Sequence, residues 1–391
     1  MISPQNLRLF QIEKHHLSSE NRGQDKSDIL TILRNIGGLS WLTPIYSRMK
    51  AWQRGWLDEL LYQDKEILEG RFFGNALQYV PKAEVPVYYL ALTPSVQLDS
   101  HDLRLLEFIR DNGPVPKDVL YKWVNLSKRD LERSLWKLDL SLLIVRAGWT
   151  RERSWGEPLW DTFEKWLPQI NLEALDPACA KEQLVLKFLK LNGILKVTQL
   201  LGLFRGSWTP REVLLTLESL IKRGLVVAGR FLEGEPEEQY ADPLTLEALF
   251  SFRPKVEPFV FLIARGDPFA IVWKDKLWEI FSIKAPAARG PAWISYIFSA
   301  SEPCGFVDYK WRAKKSEIQN LVILPSYLTE DFLGCLLPIL EENGAWMGHQ
   351  IIEIHRINDV EAAAYEETLV GGTFRDFHYI FKKGKALKEI P

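Results

Sequence analysis

One plan of elements occurs twice in this chain and limits what it can fold into. From Asp99 onward, Leu105, Phe108 and Ile109 stripe a helix that Asn112-Gly113-Pro114 stops. A short helix follows over 117–123. Ser127-Lys128-Arg129-Asp130 then has the spacing of a capping box and opens a third helix, with Leu131, Leu135 and Leu138 on one face. The run LSLLIVRAGWTRER reads as an apolar strand, a glycine turn and a basic return strand. From about Cys179 the order recurs. Leu184, Phe188 and Leu191 mark a first helix ended by Gly193, and 196–204 allows a second. Thr209-Pro210-Arg211-Glu212 starts the third with an N-cap, a proline at N1 and a glutamate at N3. Val213, Leu217, Leu220 and Ile221 are its predicted buried face, and Lys222 to Arg230 supply a helix stop, a strand and a wing tip. Three short helices followed by a two-stranded ribbon is the winged-helix arrangement, a variant of helix-turn-helix.

A looser copy is read at the N-terminus. Ile29, Ile32, Leu33 and Ile36 follow helical spacing and Gly37-Gly38 ends them, residues 56–68 look helical, and 70–81 reads as a hairpin closed by Pro81. From about 254 the texture changes. FVFLIARGDP, FAIVWKDKLWEIFSI, AWISYIFSA, CGFVDYKWR and NLVILP are β-rich runs between Gly, Pro and charged turns, which predict a small antiparallel sheet or barrel. Helices are expected over 329–343 and 359–367, a last strand in FRDFHYIFKKGK, and a frayed tail. The predicted fold class is therefore α+β: tandem winged-helix domains over 1–98, 99–176 and 177–253, then a barrel-like β domain with C-terminal helices over 254–391.

Composition sets limits on function. The 391 residues suggest two to three domains, and 47% hydrophobic with 26% charged residues excludes a disordered or low-complexity chain. A net charge of -2 leaves no chain-wide footprint for nucleic acid, so DNA contact must use local basic faces. Three cysteines (Cys179, Cys304, Cys335), odd in number and without a CxxC pair, argue for a reducing cytoplasm and against a disulfide framework or a cysteine zinc site. The charged N-terminus is no signal peptide, and no run approaches the ~18 apolar residues of a membrane helix. His15-His16 lies in a polar segment, and His349 and His355 are not at ligand spacing, so no metal is expected. Without a GxxxxGK[ST], a GxSxG or a strand-borne GxGxxG, nucleotide cofactors and serine-hydrolase chemistry lose support, and no cofactor is expected. Asp267, in Arg-Gly-Asp-Pro, reads as a turn residue. Most of the 15 tryptophans read as packing, with some available as stacking platforms.

Winged helices that touch DNA present basic and polar residues on the third helix and the wing. The second copy offers Lys128, Arg129, Arg133 and Lys137, with Arg146, Arg151 and Arg153 on its wing, and the third offers Arg211, Arg223 and Arg230. The competing reading is a solvated face with ordinary surface charge. The acidic run Glu233, Glu235, Glu237 and Glu238 favours a module that binds protein.

Three stretches resemble the crosslink-repair winged-helix DNA glycosylases of the AlkZ/YcaQ type. Gly37-Gly38-Leu39-Ser40-Trp41-Leu42, before a run ending in Arg48, sits where that family has Gly-Gly-Leu followed by Gln-x-Gln or Gln-x-Asp. Gly74-Asn75-Ala76-Leu77-Gln78-Tyr79-Val80-Pro81 is similar to its Arg-Gly-Thr-Leu-His-Leu-Val-Pro hairpin. Gly305 to Arg312 resembles its Val-Gly-Arg-x-Asp-x-Lys-x-x-Arg stretch, with Asp308, Lys310 and Arg312 matching. The resemblance spans roughly 25–360 and implies hydrolysis of the N-glycosidic bond of alkylated or crosslinked bases, without a metal, on a water held by a polar pair. Here the pair's positions fall on Ser40 and Leu42, and the hairpin histidine on Gln78. Leu42 can neither donate nor accept a hydrogen bond, and a lone serine hydroxyl is a poor base at neutral pH. Ser40, Asn75 and Gln78 are the candidate catalytic residues, with Tyr46 a further polar group. Arg48, Lys128, Arg129, Arg133, Arg211, Arg230, Asp308, Lys310 and Arg312 are the candidate DNA contacts. The expectation is a protein that binds double-stranded DNA and excises weakly or not at all. The alternatives are an active divergent glycosylase, a winged-helix interaction module with protein partners, and an accessory resembling the C-terminal half of a large helicase-related protein.

Overall fold

A computed structural model describes residues 1–39, 42–53, 55–73, 76–93, 96–124, 126–151, 156–172, 175–204, 206–254, 259–281, 293–312, 315–346, 351–361 and 378–381. By contacts the chain divides into two compact units. One gathers 1–7, 25–41 and 54–252, and the other 8–24, 42–53 and 253–391.

Helices α1 (Pro4–Lys14), α2 (Lys26–Ile36), α3 (Leu42–Tyr46) and α4 (Trp56–Asp58, continued by a π-helical turn over Glu59–Gln63) precede a hairpin of β1 (Ile67–Phe73) and β2 (Ala76–Pro81), then α5 (Val85–Leu92). Next come α6 (Ser100–Asn112), β3 (Val115–Pro116), α7 (Lys117–Val124), α8 (Lys128–Leu140), β4 (Ile144–Trp149), β5 (Pro158–Thr162) and α9 (Phe163–Trp166). They are followed by α10 (Pro177–Asn192), α11 (Val197–Leu203), α12 (Pro210–Lys222), β6 (Val227–Gly229), β7 (Gln239–Ala241) and α13 (Pro243–Ser251).

The sequence dictates where these helices start. Asp25 with Asp28, Asp99 with Asp102, and Thr209 with Glu212 each form a reciprocal capping box, and Ser127 accepts from the Asp130 amide. In the middle of the first unit, Leu105, Ile109, Leu120, Leu131, Leu138 and Ile144 share one buried cluster, and β3, β5 and β4 form a three-stranded sheet in that order. The same order of elements recurs in α10, α11, α12, β6 and β7. There a single bridge from Leu195 to Tyr240 on β7 stands where β3 stands beside β5. At the N-terminal end, a bridge from Leu39 to Tyr79 occupies that place beside the β1–β2 hairpin.

The second unit departs from expectation. Its strands are β8 (Val260–Ala264), β9 (Trp293–Ser299), β10 (Glu302–Arg312), β11 (Lys315–Ile323), β12 (Ile351–Ile354), β13 (Arg356–Ile357), β14 (Val360–Glu361) and β15 (His378–Phe381). They form one eight-stranded sheet in the order β14-β13-β11-β10-β9-β8, with β12 pairing β11 and β15. Among the described residues the sheet is open, not a closed barrel, and it is mixed, not antiparallel, because β12 runs parallel to β11 after the crossover helix α16 (Glu330–Trp346). Both faces are apolar and helix-covered. Phe261, Ile263, Tyr296 and Phe298 face one core with Phe269 and Leu277, whereas Leu262, Ile297, Val307 and Leu321 face another with Leu333 and Leu336.

FAIVWKDKLWEIF, read above as β-rich, is two helices, α14 (Pro268–Val272) and α15 (Lys274–Phe281). Asp267 caps the first with Pro268 behind it, a helix start that outweighs the β-branched content. Of the helix expected over 359–367, only 359–361 is described, with 360–361 in β14, and the remainder lies outside the described residues. No described helix is long and apolar enough to cross a membrane.

Candidate nucleic-acid interface

The Gly37-Gly38-Leu39 segment is held on three sides. Gly37 has φ +92° and ψ -173°, a region open almost only to glycine, and a Cβ there would lie 2.5 Å from the Tyr88 hydroxyl. The Gly38 amide donates to that hydroxyl at 3.1 Å, and the Leu39 carbonyl accepts from the Tyr79 amide at 3.0 Å. Burial, with the Glu84 charge nearby, pushes Tyr88 well above the usual phenol range. Behind it, Lys187 pairs with Glu84, and burial draws the lysine down and the glutamate up. Gln78 lies on β2 opposite Gly70, is 1% exposed, and its Oε1 has no hydrogen-bond partner among the described residues. Ser40 and Asn75 lie outside the described residues, and Leu42 is described by its backbone alone. Tyr46 is buried with its ring edge-on to Trp52 at 4.6 Å.

On the second copy, Lys128, Arg129 and Arg133 stand exposed on α8. Arg133 reaches Asp130 at 3.4 Å, and Lys137 is engaged by Asp99 and Asp102 at 3.0 and 2.6 Å. That pairing with Lys137 is the main cause holding the Asp99 carboxyl down at about 2. Arg146 corrects the reading of the wing. It is buried, bonded through both terminal nitrogens to Asp139 at 3.1 and 2.7 Å, with its guanidinium 4.7 Å over the Trp160 ring. Arg71 of β1 joins the same carboxylate through Nε at 2.6 Å. Sequence reasoning missed this Arg71–Asp139–Arg146 cluster, because nothing local in sequence ties the hairpin to α8. Arg151 is exposed and Arg153 lies outside the described residues.

On the third copy, Arg211 and Arg230 are exposed, and Arg223 pairs with Glu182. Ile221, expected in the core, is instead exposed, together with Leu214 and Leu215. The buried face of α12 is Val213, Thr216, Leu217 and Leu220, so Ile221 falls just past its edge.

In the second unit, Arg48 cannot serve as a phosphate contact. It is wholly buried and forms a bidentate pair with Asp267 at 2.7 and 2.9 Å, with further bonds to the carbonyls of His15 and Pro44. Asp308 lies half-buried on β10, in register with Ile294 and Asn320, and burial raises its carboxyl. Lys310 and Arg312 lie on the same strand, described there by their backbone. Among the described residues no group of His, Cys, Asp and Glu stands together to hold a metal ion.

Comparison with known proteins places these features. Among curated proteins no sequence matches the chain. The solved structure of the Streptomyces sahachiroi DNA glycosylase AlkZ matches with a TM-score of 0.66 at 12% sequence identity, over 90% of this chain and 99% of that one, a likeness of fold. The sequence profile of the DNA glycosylase AlkZ-like family matches residues 38–285, from the Gly-Gly-Leu segment to beyond the third copy. The chain belongs to the AlkZ-like DNA glycosylase family.

Proposed function

We propose that this protein binds double-stranded DNA through winged-helix copies, in a role related to DNA repair, and excises bases weakly or not at all. The observation that carries the binding is the row of Lys128, Arg129 and Arg133, exposed on the outward face of α8, the third helix of the second copy. The recurrence of helix, strand contact, two helices and two strands supports the winged-helix reading of all three copies. Ser40 and Leu42 at the positions of the family's polar pair support the weak excision. The three scattered, unpaired cysteines suit a reducing cytoplasm.

A titration of duplex DNA against salt tests this. Binding is expected at micromolar Kd or tighter at low salt. Changing Lys128, Arg129 and Arg133 together to Ala should reduce the slope of log K against log salt by about 2–3, near 0.9 for each phosphate no longer neutralised. Undetectable or salt-independent binding would sink the proposal. It would favour the second reading, a protein-interaction module, which the exposed Leu214, Leu215 and Ile221 and the acidic run from Glu233 to Glu238 support.

A further inference from the structure

We infer that the outward stripe of α12 is a self-complementary face on which a second copy of this chain docks, α12 lying antiparallel against the partner's α12. Such pairing is independent of DNA. Arg211, Leu214, Leu215 and Glu218 fall at i, i+3, i+4 and i+7, so they form one stripe along the helix, and all four are exposed. At its centre Leu214 and Leu215 are 41% and 53% exposed, with a cation on one side of the pair and a carboxylate on the other. Ile221, also exposed, continues the stripe.

This order of residues is what a two-fold axis needs. With the axis between Leu214 and Leu215, each leucine faces the other leucine of the partner. Arg211 and Glu218 stand equally far from that axis, about 5 Å along the helix in either direction at a rise of ~1.5 Å per residue. Arg211 therefore meets the partner's Glu218 and Glu218 meets the partner's Arg211, so one isologous contact forms both ion pairs at once. Among the described residues neither charge has an ion-pair partner on its own chain.

The fold does not impose this pattern. Counted from the N-caps Ser127 and Thr209, α8 has Glu132 and Arg133 in the places of Leu214 and Leu215. Exposed leucines there belong to this copy alone, and covering them removes apolar surface from water. Opposite charges on the two sides of the leucine pair suit neither a polyanion nor an anionic membrane, each of which selects cations.

Sedimentation velocity of the full chain, from micromolar to sub-millimolar concentration, tests the pairing. A single helix pair buries less than the ~1,200 Å² of a standard interface, so a dimer is expected to dissociate at on the order of 10–100 µM. Arg211→Glu and Glu218→Arg are changes at exposed positions. Each alone sets like charges opposite one another at both ends of the contact and should weaken the dimer ~10-fold or more. An equal mixture of the two variants restores both attractions and should give a heterodimer of about wild-type strength. Variants that fail alone and associate together would also show that both are folded. A wild-type chain that stays monomeric, either variant dimerising as tightly as wild type, or a mixture that stays monomeric would each overturn the pairing. None of these samples contains DNA, so any such failure leaves the DNA reading untouched.

Discussion

Changing Asp267 to Asn should cost the second unit most of its margin of stability. The Arg48 guanidinium is fully buried and donates through Nε to the His15 carbonyl at 2.8 Å, and through Nη1 to the Pro44 carbonyl at 2.6 Å. Nη1 and Nη2 bind the two Asp267 oxygens at 2.7 and 2.9 Å, and Asp267 Oδ1 also accepts from the Phe269 amide at 2.9 Å. Asparagine keeps the size and the amide contact but leaves the guanidinium without its counter-charge. Removing one partner of a buried pair costs about 3–5 kcal/mol, against roughly 0–1 for an exposed pair such as Arg110 with Glu164. With an m-value near 2 kcal/mol per M of urea, the unfolding midpoint of this unit should fall by roughly 2 M. Hydrogen exchange at the amides of β8 and α14 assigns the loss to this unit and not to the other. Replacing both partners, as Arg48→Met with Asp267→Leu, should recover most of it, since the penalty lies in the uncompensated charge. A cost below about 1 kcal/mol for Asp267→Asn would refute the reasoning. A weaker salt dependence of DNA binding in the double variant would show that Arg48 touches phosphate after all.

Three further outcomes are expected. Gly37→Ala forces a side chain into a glycine-only conformation and against the Tyr88 hydroxyl, so stability should drop by about 1–3 kcal/mol and the melting temperature by several degrees; an unchanged melt would contradict the clamp. The Lys181 ammonium, and then the Thr209 amide, hold Glu212 at about 2, below its ordinary 4.5. Its contribution is therefore present above pH 4.5 and lost as pH falls from there through 2, and Glu212→Gln should remove that part of the acid transition; superimposable acid profiles would rule it out. In single-turnover assays on duplex DNA containing 7-methylguanine, release should be weak or absent, because losing one water-positioning hydrogen bond costs on the order of 10²-fold. Robust release abolished by Gln78→Ala or Asn75→Ala, and not by Ser40→Ala, would show that the activity has moved to the hairpin.

What is legible in the sequence is local. Thr209-Pro210-Arg211-Glu212 and Ser127 to Asp130 are complete helix starts within four residues, and both helices begin there. Interactions between distant residues are not legible. Arg48 reads as a free surface cation because its partner is 219 residues away. Arg146 lies on a strand that reads as a basic wing, yet Asp139, seven residues earlier, turns it inward. The open sheet reads as a barrel for a similar reason. Short apolar runs announce strands, but the order in which they pair, including the parallel return of β12 after α16, is a long-range choice. Gln78 is recognisable as a hydrogen-bonding group, but that it is buried follows from the hairpin's packing and not from its spacing.

On the proposed reading, the copies differ most in the cations they would bring to DNA. Phosphate binding scales with the number of cations that one face can bring to the backbone. On α8 the outward face presents Lys128, Arg129 and Arg133 before it reaches Trp136, with Glu132 among them paired to Lys117 at 2.6 Å. On α12 the exposed positions include Arg211, Leu214, Leu215, Glu218, Ile221 and Lys222, so that three apolar side chains and a carboxylate stand between one cation and the next. Tyr240 on the following ribbon donates to Glu238 at 2.7 Å, and burial, then Glu238 and Glu218, holds its hydroxyl up at about 12. A phosphate approaching the middle of α12 would meet Glu218 and apolar side chains, which disfavour it there. On the proposed reading the shared backbone plan therefore does not give the copies equal shares in DNA: α8 carries the denser run of cations, and α12 interrupts its own with apolar side chains and a carboxylate.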